Sequence, residues 1–376
     1  MATDAELSAE DYNVAWICAL PDVELDPARL MLDDEHTTPS IDRNFDDTTY
    51  ICGRVEEHRV VVACLPEGET GNVSVSRLTY PLFRSFPNIK IALLVGIGGG
   101  VPRPSRGGNP LDEIYLGDVV IGFPGDGEDA VVYYDRGKVT VDGGYERKGR
   151  VQDPDWHIKQ ALGILQSNHR LKKTKFNNHL MKPNEFPEFA MPERDQDYLF
   201  KPEYHHKKEG KSCESCDTEQ LVQRPKRTDA HRNTFVFHKG RIATGNSVIK
   251  KGERRDEISK NCGGVLCIEM EAAGVNVNGS CLVIGGISDY ADSHKNDMWK
   301  LHAAKNAAVF ARELLHTIQA SKVKTIREHV RSEKMPVLAQ EPGPETKLPS
   351  TIALDHNNTS ESDTRWMFSR APPNIR

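Results

Sequence analysis

The sequence predicts an α/β fold: a central mixed β-sheet flanked by helices. Three observations carry this. Short strand-type runs alternate with segments of helical spacing, the pattern of a parallel or mixed sheet covered on both faces. Residues 89–95 (IKIALLV) and 281–287 (CLVIGGI) are apolar runs of the kind found in strands buried on both faces. Glycines or carboxylates come after most of these runs, at the strand ends where open α/β sheets collect their ligands.

In chain order, residues 13–20 (NVAWICAL) form a strand-type run, and 25–32 have helical spacing. Residues 50–55 and 60–65 are β-rich with a polar turn between them, the signature of a hairpin. A helix is predicted over 74–83, then the buried strand 89–95, which ends in the glycine run 96–100 as a turn. A strand over 118–122 and a helix over 153–165 come next. From 167 to 232 Lys, Asn, His, Pro and Glu dominate without apolar periodicity, which reads as a polar insertion. Strand patterns resume at 234–238, 240–244, 265–269 and 281–287. A long helix over 299–318 places Leu301, Ala304, Ala308, Phe310, Ala311, Leu314 and Leu315 on its apolar stripe. The expected organisation is a disordered leader over 1–11, one domain over 12–319 and a disordered tail over 320–376.

Composition narrows the function. The 376 residues carry 49 Lys+Arg against 55 Asp+Glu, a net charge of −6 that argues against a nucleic-acid polymer as partner. No apolar run approaches the ~20 residues that cross a bilayer. The acidic start lacks the layout of a signal peptide. Most of the eight cysteines sit in apolar segments, as reduced thiols do, so a cytoplasmic setting is expected.

The strand ends then supply the chemistry. Leu20-Pro21-Asp22-Val23-Glu24 comes after the first strand, and Gly68 to Ser74 after the second arm of the hairpin. Glu269-Met270-Glu271 comes after 265–268, and Ser288-Asp289 after 281–287. Singly, such carboxylates serve as helix caps and such glycines as turns. Strand alternation would send Glu269 and Glu271 to one side, and burying both is costly unless a ligand rich in hydroxyls satisfies them. Cleavage of an N-glycosidic bond suits the set. Its transition state resembles an oxocarbenium ion, one acid protonates the leaving base, and one carboxylate activates water.

At these residues the sequence resembles the purine and uridine phosphorylase / methylthioadenosine nucleosidase superfamily, and its fungal branch in particular. The matching stretches are VAWICALP (14–21), ALLVGIGGGVP (92–102), LGDVVIG (116–122), YYDRGK (133–138), GRIATGNSVIKKG (240–252), IEMEAAG (268–274) and GGISDYADSHKN (285–296). The resemblance implies a three-layer nucleoside-phosphorylase-like fold and a homo-oligomer. It implies Asp289 as the general acid at purine N7 with Ser288 beside it, Glu271 on the ribose hydroxyls, Met270 under the sugar, and Glu269 at the preceding acidic position. Val248 and Ile249 fall where the base is held. Asn246 of the ATGN block, Gly98 and Gly99 of the glycine run, and Gly71 complete the substrate-binding set.

Hydrolysis and phosphorolysis are distinguished by two positions. Phosphorylases of the superfamily carry a phosphate-binding Arg where this chain has Leu94, whereas nucleosidases carry a water-activating Glu whose counterpart is Glu24. Glu24 lies one residue later than the usual spacing, with Asp22 the competing position. The expected activity is therefore hydrolysis of purine nucleosides to base and ribose, with no cofactor. The alternatives are phosphorolysis, with inorganic phosphate held by Gly71, Asn72, Ser74 and Arg77, and a nucleotide-cleaving or nucleotide-sensing effector module. Cys213-x-x-Cys216 with scattered histidines does not fix a metal site, so none is assigned.

Overall fold

The computed structural model describes residues 7–318 apart from 104–107, 126–127, 143–144, 150, 152, 194–195, 208–211, 229–230, 232–233 and 276–280. The chain divides into two units, Met1–Ser332 and Glu333–Arg376. The second unit lies outside the described residues, as does the expected tail beyond 320.

The first half of the chain builds β1 (Val14–Cys18), a short π-helical turn (Pro21–Leu25), α1 (Asp26–Leu30), β2 (Asp34–His36), β3 (Ile51–Val55), β4 (His58–Cys64), α2 (Gly71–Ser85), β5 (Ile91–Gly100) and β6 (Val119–Gly122). After β7 (Val131–Tyr133), β8 (Gly137–Val139) and β9 (Tyr145–Arg147) come α3 (Trp156–Arg170) and α4 (Phe176–Met181). The remainder is β10 (Phe237–Gly240), β11 (Ile242–Thr244), α5 (Gly252–Asn261), β12 (Cys267–Glu269), α6 (Ala272–Val275), β13 (Cys281–Asp289) and α7 (Lys300–Thr317).

The main sheet runs β10-β6-β13-β5-β1-β4-β3-β2. It is mixed: β5 pairs parallel with β1 and β13, whereas β6 pairs antiparallel with β13. The end of β5 turns onto a second set of strands, pairing antiparallel with β12, which joins β11 and β7. Side chains of β1 alternate between two cores. Ala15 and Ile17 pack with α2 residues such as Leu78, and Val14 and Trp16 pack with α7 residues such as Phe310. This period of two, each face apolar, produces the three layers. Gly286 brings α7 against β13, because a Cβ there would lie 2.0 Å from the Ala303 carbonyl oxygen.

Several expectations change. The glycine run 96–100 continues the strand instead of ending it, since β5 keeps pairing through Gly100. The helix expected over 74–83 begins earlier, at Gly71. The leader is ordered from Leu7: Ala9–Asp11 form a 3₁₀ turn capped by Ser8, and Leu7 and Ala9 pack on the core. Two apolar side chains and a capping box are enough to hold it.

The 167–232 segment completes α3, supplies α4 and, at Arg227, comes back to Asp118 just before β6. There Arg227 grips Asp118 with both nitrogens, at 2.5 and 2.6 Å, while His238 lies 2.9 Å from the same buried carboxylate. Burial opposes ionisation of Asp118, but Arg227 and His238 overcome it and hold the carboxyl below its ordinary value. Asp118→Ala strands both partners and should cost about 3–5 kcal/mol of stability, read from urea unfolding.

Candidate active site

The C-terminal ends of β1, β5, β12 and β13 bring four carboxylates around the glycine stretch of β5. Glu24 arrives from the turn after β1. Pro21–Leu25 is one residue wider than an α-helical turn and so absorbs the extra residue in its spacing. Asp22 stays exposed, whereas Glu24 is buried. Its Oε2 accepts from the Ala19 and Leu20 amides at 2.6 and 3.0 Å, and its Oε1 from the Ile97 amide at 3.0 Å. Gly96 makes room, since a Cβ there would lie 2.4 Å from Glu24 Oε1. Burial and the neighbouring Glu271 charge push Glu24 up to about 7, against the pull of its three amide donors.

Asp289 ends β13. The pairing register with β5 slips at Ser288, which re-aims the following side chain. Asp289 Oδ1 accepts from the Ala291 amide at 2.9 Å, where Ala291 takes the left-handed φ of 50°. Oδ2 accepts from Ser288 Oγ at 2.8 Å and from Lys295 Nζ. Gly99 lies opposite, with an added Cβ 3.1 Å from Asp289 Oδ1 and 2.8 Å from the Ala291 Cβ. Burial alone would raise Asp289, but Lys295 and these hydrogen bonds outweigh it, so its carboxyl is held below the ordinary value. Asp289 is thus an anion in the free protein, not a standing acid.

Glu271 and Glu269 differ in role. Strand geometry stops at Glu269, so alternation does not reach Glu271. Glu269 Oε2 accepts from the Glu271 and Ala272 amides at 2.9 and 2.8 Å and so ties down the start of α6. Its Oε1 is buried without a hydrogen bond. Glu271 Oε1 takes the Gly71 amide at 3.0 Å, and its Oε2 takes the Met270 amide at 3.1 Å. Burial raises both carboxyls, and the Glu271 charge raises Glu269 further.

The start of α2 is partly occupied by this chain's own groups. Beyond the Gly71 amide held by Glu271, the Asn72 amide reaches Asn246 Oδ1 at 3.3 Å, and Ser74 Oγ bonds Glu69 at 2.6 Å. Arg77 is exposed. Leu94 is buried in β5.

Of the sequence-derived set, Glu24, Glu269, Glu271, Met270, Asp289, Ser288, Gly71, Gly98, Gly99 and Asn246 are drawn into this strand-end network. Gly98 lies beside Glu269, an added Cβ falling 3.8 Å from the Glu269 Cβ. Ile249 packs against the apolar cluster that holds Ile268 and Ala291, and Val248 beside it is 53% exposed. Both line a groove of about 380 Å³ with Lys250, Lys251 and Arg254. Lys295 and the Ile97 amide carry no separate signal in the sequence, because each matters only through a partner on another element. A cavity of about 950 Å³ opens elsewhere, between the 167–232 segment and α7, and none of the four strand-end carboxylates lines it. The candidate site is placed by its four buried carboxylates, of which Asp289 is paired with Lys295 while the glutamates accept from backbone amides.

No family model matches the sequence. A curated relative, a nucleotide-binding leucine-rich repeat (NLR)-like protein of Hyaloscypha variabilis, is 36% identical over 323 residues. The match covers 85% of this chain but only 31% of that relative's length. Among solved structures, the 5′-methylthioadenosine/S-adenosylhomocysteine nucleosidase of Neisseria meningitidis in complex with methylthio-immucillin-A aligns with a TM-score of 0.52 at 18% identity, covering 81% of this chain and 99% of that one. The futalosine hydrolase of Helicobacter pylori aligns at 0.50 and 14% identity, over 81% and 98% of the two chains. The fold is therefore the one these nucleosidase and hydrolase structures share, a mixed sheet between helical layers.

Proposed function

We propose that the chain hydrolyses the N-glycosidic bond of purine nucleosides, releasing the free base and ribose. One observation carries this reading: a buried carboxylate raised to about 7 and a lysine-paired aspartate share one glycine-walled site. Glu24, ionised above about pH 7, takes a proton from water attacking the ribose C1′. Glu271 and its neighbours supply negative charge to the oxocarbenium-like transition state and accept from ribose hydroxyls. The proton that N7 gains passes from the Lys295 ammonium through Asp289 along their shared hydrogen bond, after which the N7–H donates to the Asp289 carboxylate. In this order the base departs neutral and water ends on the sugar.

Hydrolysis is preferred to phosphorolysis because the Gly71 and Asn72 amides and the Ser74 hydroxyl at the start of α2 already have partners in this chain, and Leu94 offers no charge. Inosine, adenosine, guanosine or methylthioadenosine incubated without phosphate should release free base. Release that requires phosphate would reassign the chain to the phosphorylases.

A second reading concerns the substrate's 5′ end. Lys250, Lys251 and Arg254 around the groove beside Val248 and Ile249 suit a nucleotide's phosphates, and the fungal relative's name is that of a nucleotide-binding protein. An effector module acting on ATP or AMP would turn these over faster than adenosine. Equal or slower turnover removes this reading.

A further inference from the structure

The 204–217 loop holds a second cluster of chemically distinctive side chains, unused by the mechanism above. Cys213 and Cys216 bracket a 3₁₀ turn, closed by the Cys216 amide on the Cys213 carbonyl at 3.0 Å. With His206 they present donor atoms that all lie within 4.8 Å of one another. Both thiols are free. We propose that His206, Cys213 and Cys216 bind a zinc ion that braces the chain between Asp289 and Lys295.

The donor chemistry selects the metal. Two thiolates and an imidazole are a soft set, and zinc takes such ligands in tetrahedral geometry at ~2.3 Å to sulfur and ~2.0 Å to nitrogen. His206 Nε2 lies 3.4 Å from the Ser212 carbonyl oxygen, an acceptor of the kind that orients a zinc-bound histidine. A divalent cation between the sulfurs takes both as thiolates and releases their protons. His294 stands beside the cluster: its ring centroid is 5.3 Å from that of His206, and both its ring nitrogens are buried without hydrogen bonds. A water or a further side chain would take the fourth position of the tetrahedron.

The location explains the use. The His206 amide donates to Ser293 Oγ at 2.8 Å, and in the metal-free chain the Cys213 thiol also reaches the His294 carbonyl at 3.9 Å, a contact given up when zinc takes the thiolate. Phe200 stacks on His294 at 4.0 Å, and Tyr204 at 5.4 Å. The loop thus grips residues 293–294, immediately before Lys295, whose ammonium must meet Asp289. A metal cross-link closing the loop would fix that grip.

The full chain, purified under reducing conditions without chelator, should carry one zinc per chain by elemental analysis. Exchange for cobalt should give thiolate-to-cobalt charge-transfer absorption. Zinc should also protect two thiols from a thiol reagent until a chelator is added, with a fall in thermal midpoint. Cys213→Ser and His206→Ala should lose the metal, and Cys64→Ser should keep it. Metal-free wild type that takes up neither zinc nor cobalt overturns the proposal. So does a Cys213–Cys216 disulfide under these conditions, or zinc retained by both loop variants. The cobalt spectrum of the wild type keeps the outcome readable if a variant fails to fold.

Discussion

Asp289→Asn should lower turnover of purine nucleosides by about 10²–10⁴-fold, the usual worth of proton transfer to a leaving group. The substitution preserves shape but removes the charge that holds Lys295 at the site. An amide neither draws the Lys295 proton toward N7 nor passes it on. Because Lys295 is partly exposed, its ammonium can turn to water when the pair is lost, and the fold should survive. Substrates whose leaving group needs no proton, such as nitrophenyl ribosides, should be spared most of the loss. Equal losses on both kinds of substrate would remove Asp289 and Lys295 from leaving-group chemistry and leave them a binding role.

Glu24→Gln should cause a second loss of about 10²–10⁴-fold, this time with any leaving group, because the attacking water loses its base. The pH profile carries more information than the size. Glu24 works as a carboxylate and is raised to about 7 by burial and by Glu271, so wild-type activity should climb as pH rises through about 7. The opposite sign holds for stability. A carboxyl raised in the folded state favours folding at low pH, and that contribution disappears as pH rises through about 7. Glu271→Gln removes a like charge and should move the rising limb of activity to lower pH. A limb that stays in place would mean that another group titrates there.

Much of this site is legible before the fold is known, for identifiable reasons. β1, β5 and β13 announce themselves because strands covered on both faces tolerate little polarity, and the residues just past their C-terminal ends form the ligand edge. Glu24 and Asp289 are found by that rule. Their states are not. Whether Glu24 or Asp22 turns inward depends on a π-helical turn that no periodicity marks. The glycine run looks like a turn because glycine is a turn residue, yet here it keeps a strand bare where Glu24 and Asp289 press against it. Glu269 looks like a ligand group and spends one oxygen on the start of α6. Lys295 sits six residues beyond Asp289, a spacing without meaning until the chain turns back at Ala291. Likewise the spacing of His206 from Cys213 and Cys216 does not show that their donor atoms lie within 4.8 Å of one another.

The central claim is that Glu24 directs water onto the ribose. The most direct measurement is the fate of solvent oxygen in a single turnover run in oxygen-18 water without phosphate. The sugar product of the wild type should carry one solvent oxygen and the purine none, with labelled product nearly abolished in Glu24→Gln. An unlabelled sugar phosphate formed only on adding phosphate, or full labelling retained by Glu24→Gln, would contradict the account.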